Sequence, residues 1–358
     1  MGHVTLVNQR TFKHVMETGY VSISASYDGK QKLKTISDQF ADLLNVKPGN
    51  LIFFWSISDK VDNTKNLGFI GYGIASDYAS FVNSDLYPYK IPLSEIIIYE
   101  NPLSEREALS LNREKKLWNL IGKKSLGRGR GLIHQTFFED KVLIELLEKK
   151  STAKNIKKFS SVKKIGEKIK INLSGSNISK NEFNNSESEI TNWNMNSFPF
   201  VSDGQFSYEK TLEAFLIQKL RDNEFNDIIF NLGLESWEIV WFGNYLAYGV
   251  LGGNLDILIL LKKNEEYNLI VLELKNENLN YEKTENVINQ INEYEIEMVE
   301  TFKPFIKKLI TTKIVIAPYY TKSVNFGDVR FLEYQIINNE FSLKSFFYSI
   351  VGLKAPNQ

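Results

Sequence analysis

Two apolar runs joined by a polar turn constrain this chain more than any other stretch. They read Asn254-Leu-Asp-Ile-Leu-Ile-Leu-Leu261 and Asn268-Leu-Ile-Val-Leu-Glu-Leu-Lys275, with Lys262-Lys-Asn-Glu-Glu-Tyr267 between them. Runs of Leu, Ile and Val flanking a polar segment predict a β-hairpin with its loop over 262–267. In a hairpin symmetric about that loop, Asp256 lies opposite Glu273, and carboxylates facing each other across a ladder destabilise it. Period two sets Lys275 on the face of Glu273, with Leu272 and Leu274 on the other. Strands otherwise built from aliphatic residues gain nothing structural from this. The gain is chemical: opposed carboxylates make a hard oxygen site for Mg²⁺, and a lysine beside it can orient a water.

Composition narrows the chemistry further. The chain has 358 residues, no cysteine, and only three histidines, His3, His14 and His134. Disulfide frameworks, thiol catalysis and cysteine zinc sites are excluded. Imidazoles are too few for a His-dependent metal nuclease, so carboxylates must carry any catalysis. Formal charge balances at zero, so a nucleic-acid face must come from local clustering and not from the average. No apolar run of membrane-spanning length and no secretory signal are expected, which makes the cytoplasm the default location.

Length suggests two domains. Residues 1–148 read as mixed α/β: a first strand at the N-terminus, a helix over Asp38–Asn45 and a strand over Leu51–Trp55. A glycine-bearing strand over Leu67–Ala75 follows, with glycines that let a backbone or a ligand approach closely or mark a bulge on a curved sheet. A strand over Glu95–Tyr99 and helices over Glu105–Leu120 and Phe138–Leu147 complete it. Residues 149–206 read as an exposed linker, since 149–170 hold nine lysines and one acid, and 172–196 are rich in Asn and Ser. Residues 207–358 read as a second domain. It has a helix over Ser207–Leu220, strands near Asp227–Asn231, Glu238–Phe242 and Leu246–Val250, the hairpin, a helix over Glu282–Leu309 and a strand over Lys313–Pro318.

Asp…Glu-x-Lys alone is common, and as an exposed ion pair it contributes little. Three additions give it weight. It sits on an apolar hairpin after Gly252-Gly253. The preceding helix carries Glu209 and Glu213 on one face, with Glu213 inside the run Leu212-Glu-Ala-Phe-Leu216. The following helix places Gln290 and Tyr294 one turn apart. In this order the C-terminal half resembles the PD-(D/E)xK nuclease superfamily, specifically its RecB/NucS-like branch, over about residues 207–334. It departs at Asn254, where relatives commonly carry a basic residue that bears on phosphate contact. The resemblance implies a restriction-endonuclease-like α/β core with a mixed sheet flanked by helices. It implies that Asp256 and Glu273 hold Mg²⁺, which Mn²⁺ would replace, with Glu213 completing the site and Glu209 the second choice there. Lys275 would position the nucleophilic water or stabilise charge on phosphorus, and Gln290 and Tyr294 would orient the substrate strand or the lysine.

In the N-terminal half, Lys47-Pro-Gly-Asn-Leu-Ile-Phe-Phe-Trp55 followed by Gly68-Phe-Ile-Gly-Tyr-Gly-Ile-Ala75 is similar to the PUA/EVE/YTH type of small β-barrel. That resemblance implies a β-barrel with helices and a pocket that reads a nucleobase, stacked on aromatic faces. Trp55, Tyr72, Tyr78 and Trp118 are the aromatic candidates, each also suited to a core. Lys123-Lys-Ser-Leu-Gly-Arg-Gly-Arg-Gly131 is the candidate DNA contact, with Lys123, Lys124, Arg128 and Arg130 presented among glycines. Taken together, these readings expect an α/β and α+β chain of two domains acting on DNA as a Mg²⁺-dependent endonuclease. Restriction of foreign DNA, with a cognate methyltransferase and a homodimer to cut both strands, is the leading expectation. A repair nuclease acting on mismatched or branched DNA, and an inactive nucleic-acid-binding regulator, are the alternatives.

Overall fold

The computed structural model describes residues 2–23, 30–57, 68–82, 87–113, 133–135, 137–151, 154–159, 166–174, 178–185, 187–189, 198–225, 232–248 and 253–345. Strand β1 (Gly2–Val7) gives way to helix α1 (Gln9–Thr18) at a capping box. Asn8 Oδ1 accepts from the Thr11 N–H at 2.8 Å, and Thr11 Oγ1 accepts from the Asn8 N–H at 2.9 Å. Gly19, left-handed at φ 73°, closes that helix. There follow β2 (Tyr20–Ile23), β3 (Lys30–Lys32), α2 (Leu33–Leu44), β4 (Leu51–Ser56), β5 (Gly68–Ala75), β6 (Ser80–Phe81) and β7 (Tyr89–Ser104). Next are α3 (Glu105–Arg113), β8 (Ile133–Gln135), α4 (Phe137–Lys150), β9 (Lys154–Lys158) and β10 (Glu167–Lys168).

The long strand β7 organises this half. Its first residues pair with β2 and β6, and its later ones with β5 and β9. A strand of that length coils, which curls the sheet it serves. The order is β10-β6-β7-β5-β4-β1-β8, and among the described residues only β1 and β4 pair parallel. The ladders among the described residues form a half-barrel sheet with β10 and β8 at its ends. The close approach expected at the glycines of β5 is made by β7. A Cβ on Gly68 would meet the Leu103 carbonyl oxygen at 2.0 Å, and one on Gly71 the Ile97 oxygen at 2.1 Å.

The second half comprises α5 (Lys180–Asn185), β11 (Glu187–Glu189), β12 (Val201–Ser202), β13 (Gln205–Phe206), α6 (Glu209–Arg221), β14 (Glu238–Tyr248), β15 (Gly253–Lys263) and β16 (Glu266–Leu274). Helix α7 (Tyr281–Phe302) and strands β17 (Leu309–Ala317), β18 (Arg330–Ile337) and β19 (Glu340–Ser345) complete it. Its mixed sheet runs β14 to β19 in chain order: β14, β15 and β16 are antiparallel, β16, β17 and β18 parallel, and β19 antiparallel again. Parallel strands need a crossover, and α7 supplies it between β16 and β17.

Several boundaries move from expectation. The hairpin pairs through Lys263 opposite Glu266, so its turn is only Asn264-Glu265, with Asn264 at φ 55°. One strand, β14, joins the two segments expected over 238–250 as far as Tyr248, where the described residues stop, with a register shift between Ile239 and Trp241. Pro304 stops α7 near Phe302, well before Leu309. The strand expected near 227–231 lies outside the described residues. The expected exposed linker is instead partly core: Ile169, Ile171, Phe183, Phe198 and Phe200 are buried. Isolated apolar residues in a Lys-, Asn- and Ser-rich stretch carry no period, which is why they read as linker.

One hydrophobic cluster joins the two halves. Phe40, Ala41 and Leu44 of α2 pack with Leu212, Leu216 and Ile217 of α6 and with Ile257, Ile270 and Leu272 beneath them. Phe40 meets Phe198 edge-on at 4.8 Å between ring centroids. The opposite face of β15 and β16 packs Leu258, Leu260, Leu269 and Val271 against Val287, Ile291, Tyr294 and Met298 of α7. Both faces of these strands are therefore covered, so a charged residue on either must find a partner or a use.

Candidate active site

The charged centre lies where β15 and β16 begin to separate. Pairing closes at Ile257 opposite Leu272, and one further step sets Asp256 opposite Glu273, the register read from the sequence. Instead of continuing the ladder, Asp256 accepts the Leu274 N–H on Oδ2 at 2.9 Å. Glu273 follows the alternation of Leu269 and Val271, whereas Leu255 and Ile257 fall in opposite clusters, so alternation breaks at Asp256, whose side chain meets Lys210 of α6. The backbone of Lys275 is held by its N–H to the Ile316 oxygen at 2.9 Å, which fixes where its side chain starts. Its ammonium donates to Glu273 Oε1 at 2.5 Å and reaches Glu209 Oε2 at 3.5 Å.

Helix α6 delivers the rest from its first turns. Residues 209, 210 and 213 fall on one side of a 3.6-residue helix. Glu213 is fully buried. Its Oε1 accepts from Asn244 Nδ2 at 2.9 Å, and its Oε2 pairs with the ammonium of Lys210. That ammonium also reaches Asp256 Oδ1 at 3.3 Å. Asn244 in turn donates to Asp42 Oδ1 at 3.1 Å and accepts from Asn45 Nδ2 at 3.1 Å. A chain of buried polar groups thus runs from α2 of the N-terminal half to Glu213.

Electrostatics follow from burial and crowding. Burial, reinforced by Asp256, holds the Glu273 carboxyl well above the ordinary range, against the pull of Lys275. Burial likewise pushes Glu213 up to about 7, opposed by Lys210. Glu209 is raised by burial and by Asp256. For Lys275, burial acts downward, but Glu273, Glu209 and Asp256 outweigh it and the ammonium is held more firmly than usual. Its charge is fixed at any working pH, which suits an electrostatic role and not proton abstraction.

The donor set suits a hard divalent cation: Asp256, Glu273 and Glu213 offer carboxylate oxygens, and Glu273 Oε2 is buried without a hydrogen bond. A buried, charge-bearing oxygen left bare is a poor choice for a core and a good one for a ligand. No three acidic or imidazole groups among the described residues already converge at ligand distance. Lys210 stands between two of them instead.

The structure also places the other expected residues. Gln290 donates to the Tyr294 hydroxyl on α7, and Tyr294 is buried in the cluster that packs α7 on Leu258, Leu260, Leu269 and Val271. Trp55 and Tyr72 share one packed cluster with Phe53, Phe69 and Tyr99 and are nearly closed to solvent. Tyr78 packs elsewhere, under the Lys168 ammonium at 3.7 Å and the Arg221 guanidinium at 5.3 Å from its ring centre. Trp118, Lys123, Lys124, Arg128 and Arg130 lie outside the described residues. Lys210, Asn244, Asp42 and Asn45 belong to the centre without having been singled out in the sequence. Only Lys210, beside Glu209 and one turn from Glu213, left a local hint there.

No protein-family model matches the chain, and no curated protein matches it. Among solved structures, a protein from Pseudomonas syringae aligns at 12% identity over 41% of this chain and 99% of its own, with a TM-score of 0.27. A repair endonuclease from Pyrococcus abyssi aligns at 18% identity over 31% of this chain and 46% of its own, with a TM-score of 0.21. Likenesses this slight assign neither a fold nor an activity. Among the described residues, no helix is long and apolar enough to cross a membrane.

Proposed function

We propose that this chain is a Mg²⁺-dependent endodeoxyribonuclease whose centre is Asp256, Glu273 and Lys275 with Glu213. One observation carries the reading. Glu273, buried beside the apolar run Leu269–Leu272, keeps one oxygen free of any hydrogen bond among the described residues while its other oxygen holds Lys275 at 2.5 Å. Glu333 on β18 also leaves a buried oxygen unbonded; Glu273 differs in doing so beside Asp256 and Lys275. A centre that must accept a cation keeps one in reserve.

Asp256 and Glu273 would hold the metal, with Glu213 joining from α6; bound there, the ion supplies Lewis-acid charge and lowers the pKa of a water. The chain's own residues do the remainder. Lys275, tethered to Glu273 and fixed in charge, is placed to hold the attacking water or to stabilise negative charge as it grows on the phosphate oxygens. The apolar packing on both faces of β15 and β16 excludes water around the centre and strengthens those interactions. Gln290 and Tyr294, bonded to each other on α7, would orient the substrate strand. Recognition is assigned to the N-terminal half, with Lys123, Lys124, Arg128 and Arg130 as the contacts to DNA.

The test is digestion of matched unmodified, methylated and mismatched duplexes in Mg²⁺, beside an Asp256→Asn control. Cleavage that follows base identity or methylation and vanishes in the control is the expected result. Cleavage that follows mismatch or branch geometry would make the enzyme a repair nuclease. Binding without cleavage in Mg²⁺ or Mn²⁺ would overturn the enzymatic reading.

A further inference from the structure

Lys210 has no part in the motif or in the proposed chemistry, yet it occupies the middle of the centre. Only 7% of the residue is exposed. Its ammonium bonds Glu213 Oε2 and lies 3.3 Å from Asp256 Oδ1. Both carboxylates are gripped from behind by neutral donors: Asn244 Nδ2 on Glu213 Oε1 at 2.9 Å, and the Leu274 N–H on Asp256 Oδ2 at 2.9 Å. The two remaining oxygens, one from a helix and one from a strand, therefore turn toward a single point. A cation of the protein fills it.

An ammonium and a divalent metal ask the same thing of such a point, and both cannot sit there. Buried carboxylates stripped of a counter-ion are strongly destabilising, so a centre that is metal-free for part of its life needs a substitute charge. Lysine suits that duty. Its ammonium is compact and its four-carbon stem is flexible, so it can leave without moving the helix backbone. Arginine, with a rigid planar fork, would be held by two oxygens at once and would leave less readily.

We propose that Lys210 is a resident counter-ion that a divalent cation must displace from between Glu213 and Asp256. The inference rests on the metal-dependent reading above and extends it to regulation. Lys210 keeps the empty centre folded and preformed, and by competing for the same oxygens it sets the metal concentration at which the centre loads. Occupancy by metal and burial of the Lys210 ammonium exclude each other.

The test uses the full chain without DNA. Mg²⁺ binding is measured by calorimetry, and thermal melting is followed in chelator and in saturating Mg²⁺, for wild type, Lys210→Met and Asp256→Asn. Lys210→Met is expected to melt below wild type in chelator, to bind Mg²⁺ at least about tenfold more tightly, a difference of roughly 1.4 kcal/mol, and to recover its melting deficit once loaded. Binding no tighter than wild type, or a deficit that persists at saturating Mg²⁺, overturns the proposal. Should the variant fail to fold, the wild type gives the answer through amine labelling mapped by mass spectrometry. Lys210 is expected to be protected in chelator and labelled in Mg²⁺, and continued protection in Mg²⁺ overturns the idea. The two readings fail differently. If wild type binds Mg²⁺ and Asp256→Asn does not, while Lys210→Met binds no tighter, only the resident cation is lost. If wild type binds no Mg²⁺ or Mn²⁺, the metal centre itself is wrong, and Lys210 with it.

Discussion

Replacing Glu273 with Gln separates a functional carboxylate from a structural one, because the two roles predict opposite signs for stability. The side chain is 2% exposed, with Oε1 on Lys275 and Oε2 bare. Glutamine keeps the shape and an acceptor for Lys275, and its amide can donate toward Asp256 across the strands. Removing a buried charge with an unsatisfied oxygen relieves on the order of 1–3 kcal/mol. Turning a charge-assisted bond from Lys275 into a neutral one costs about 1 kcal/mol, and Lys275 keeps Glu209 at 3.5 Å. The net expectation is a metal-free Glu273→Gln protein more stable than wild type by roughly 1 kcal/mol at pH 8. The pH dependence fixes the sign independently. Burial first, and then Asp256, raise the folded-state pKa of Glu273 well above its ordinary value. Stability from that group is therefore fully present below the unfolded pKa and is lost as pH rises through the folded one. The variant has no such loss, so its advantage should vanish near pH 4 and grow toward pH 9. Urea unfolding in chelator across that range measures it. In saturating Mg²⁺ the order should reverse, since only wild type gains binding energy. If Glu273→Gln is instead less stable by about 3–5 kcal/mol at every pH, as when a buried structural ion pair is broken, the centre is scaffolding and the nuclease reading falls with it.

How much of this centre the sequence disclosed follows from which contacts leave a local trace. Register in an apolar hairpin is set by which residues must face the core, so Asp256 opposite Glu273 could be read without a structure. Glu213 was legible because a carboxylate inside Leu212-Glu-Ala-Phe-Leu216 contradicts its own apolar stripe. The turn was placed too generously, because Lys262, Lys263 and Glu266 are polar and yet pair in the ladder. Asn244, Asp42 and Asn45 gave no sign. Their bonds span 31, 202 and 199 positions, and a buried Asn or Asp has no period to betray it. The same holds for Phe183, Phe198 and Phe200, apolar residues scattered through a stretch of Lys, Asn and Ser that nonetheless seal the core between α2 and α6. In the N-terminal half, glycines at 68 and 71 announced a close approach, and the partner that approaches is the backbone of β7. The aromatic residues read as a base pocket show the opposite ambiguity. Aromatic faces suited to stacking on a base suit a packed core equally well, and Trp55 and Tyr72 lie in one.

The remaining expectations address the lysine, a remote carboxylate and the tie between the halves. Lys275→Ala should lower the single-turnover cleavage rate on the order of 10²-fold or more while sparing DNA affinity, because an electrostatic donor acts on charge that grows only in the transition state. Lys275→Arg should not restore the rate, and a rate within a few-fold of wild type for the alanine variant would make Lys275 structural. Asp140, far along the chain on α4, is raised by burial to about 7. Its contribution is present below about pH 4 and lost as pH rises through about 7, so Asp140→Asn should unfold at higher urea than wild type at pH 8 and show no gain at pH 4. A double-mutant cycle of Asp42→Asn and Glu213→Gln tests whether α2 is energetically part of the centre. Both carboxylates take an N–H from the same Asn244 amide, at 3.1 and 2.9 Å, so the second substitution meets an amide whose orientation the first has already released. Groups sharing one network typically show a coupling energy of about 0.5–3 kcal/mol, whereas independent sites add to within a few tenths. The cycle is read from urea unfolding in chelator and again from Mg²⁺ affinity. Coupling in both would mean that the N-terminal half sets the position of a carboxylate in the centre, so that an event on α2 reaches the metal site through one side chain. Strict additivity would reduce Asn244 to packing and leave the two halves joined by their hydrophobic core alone.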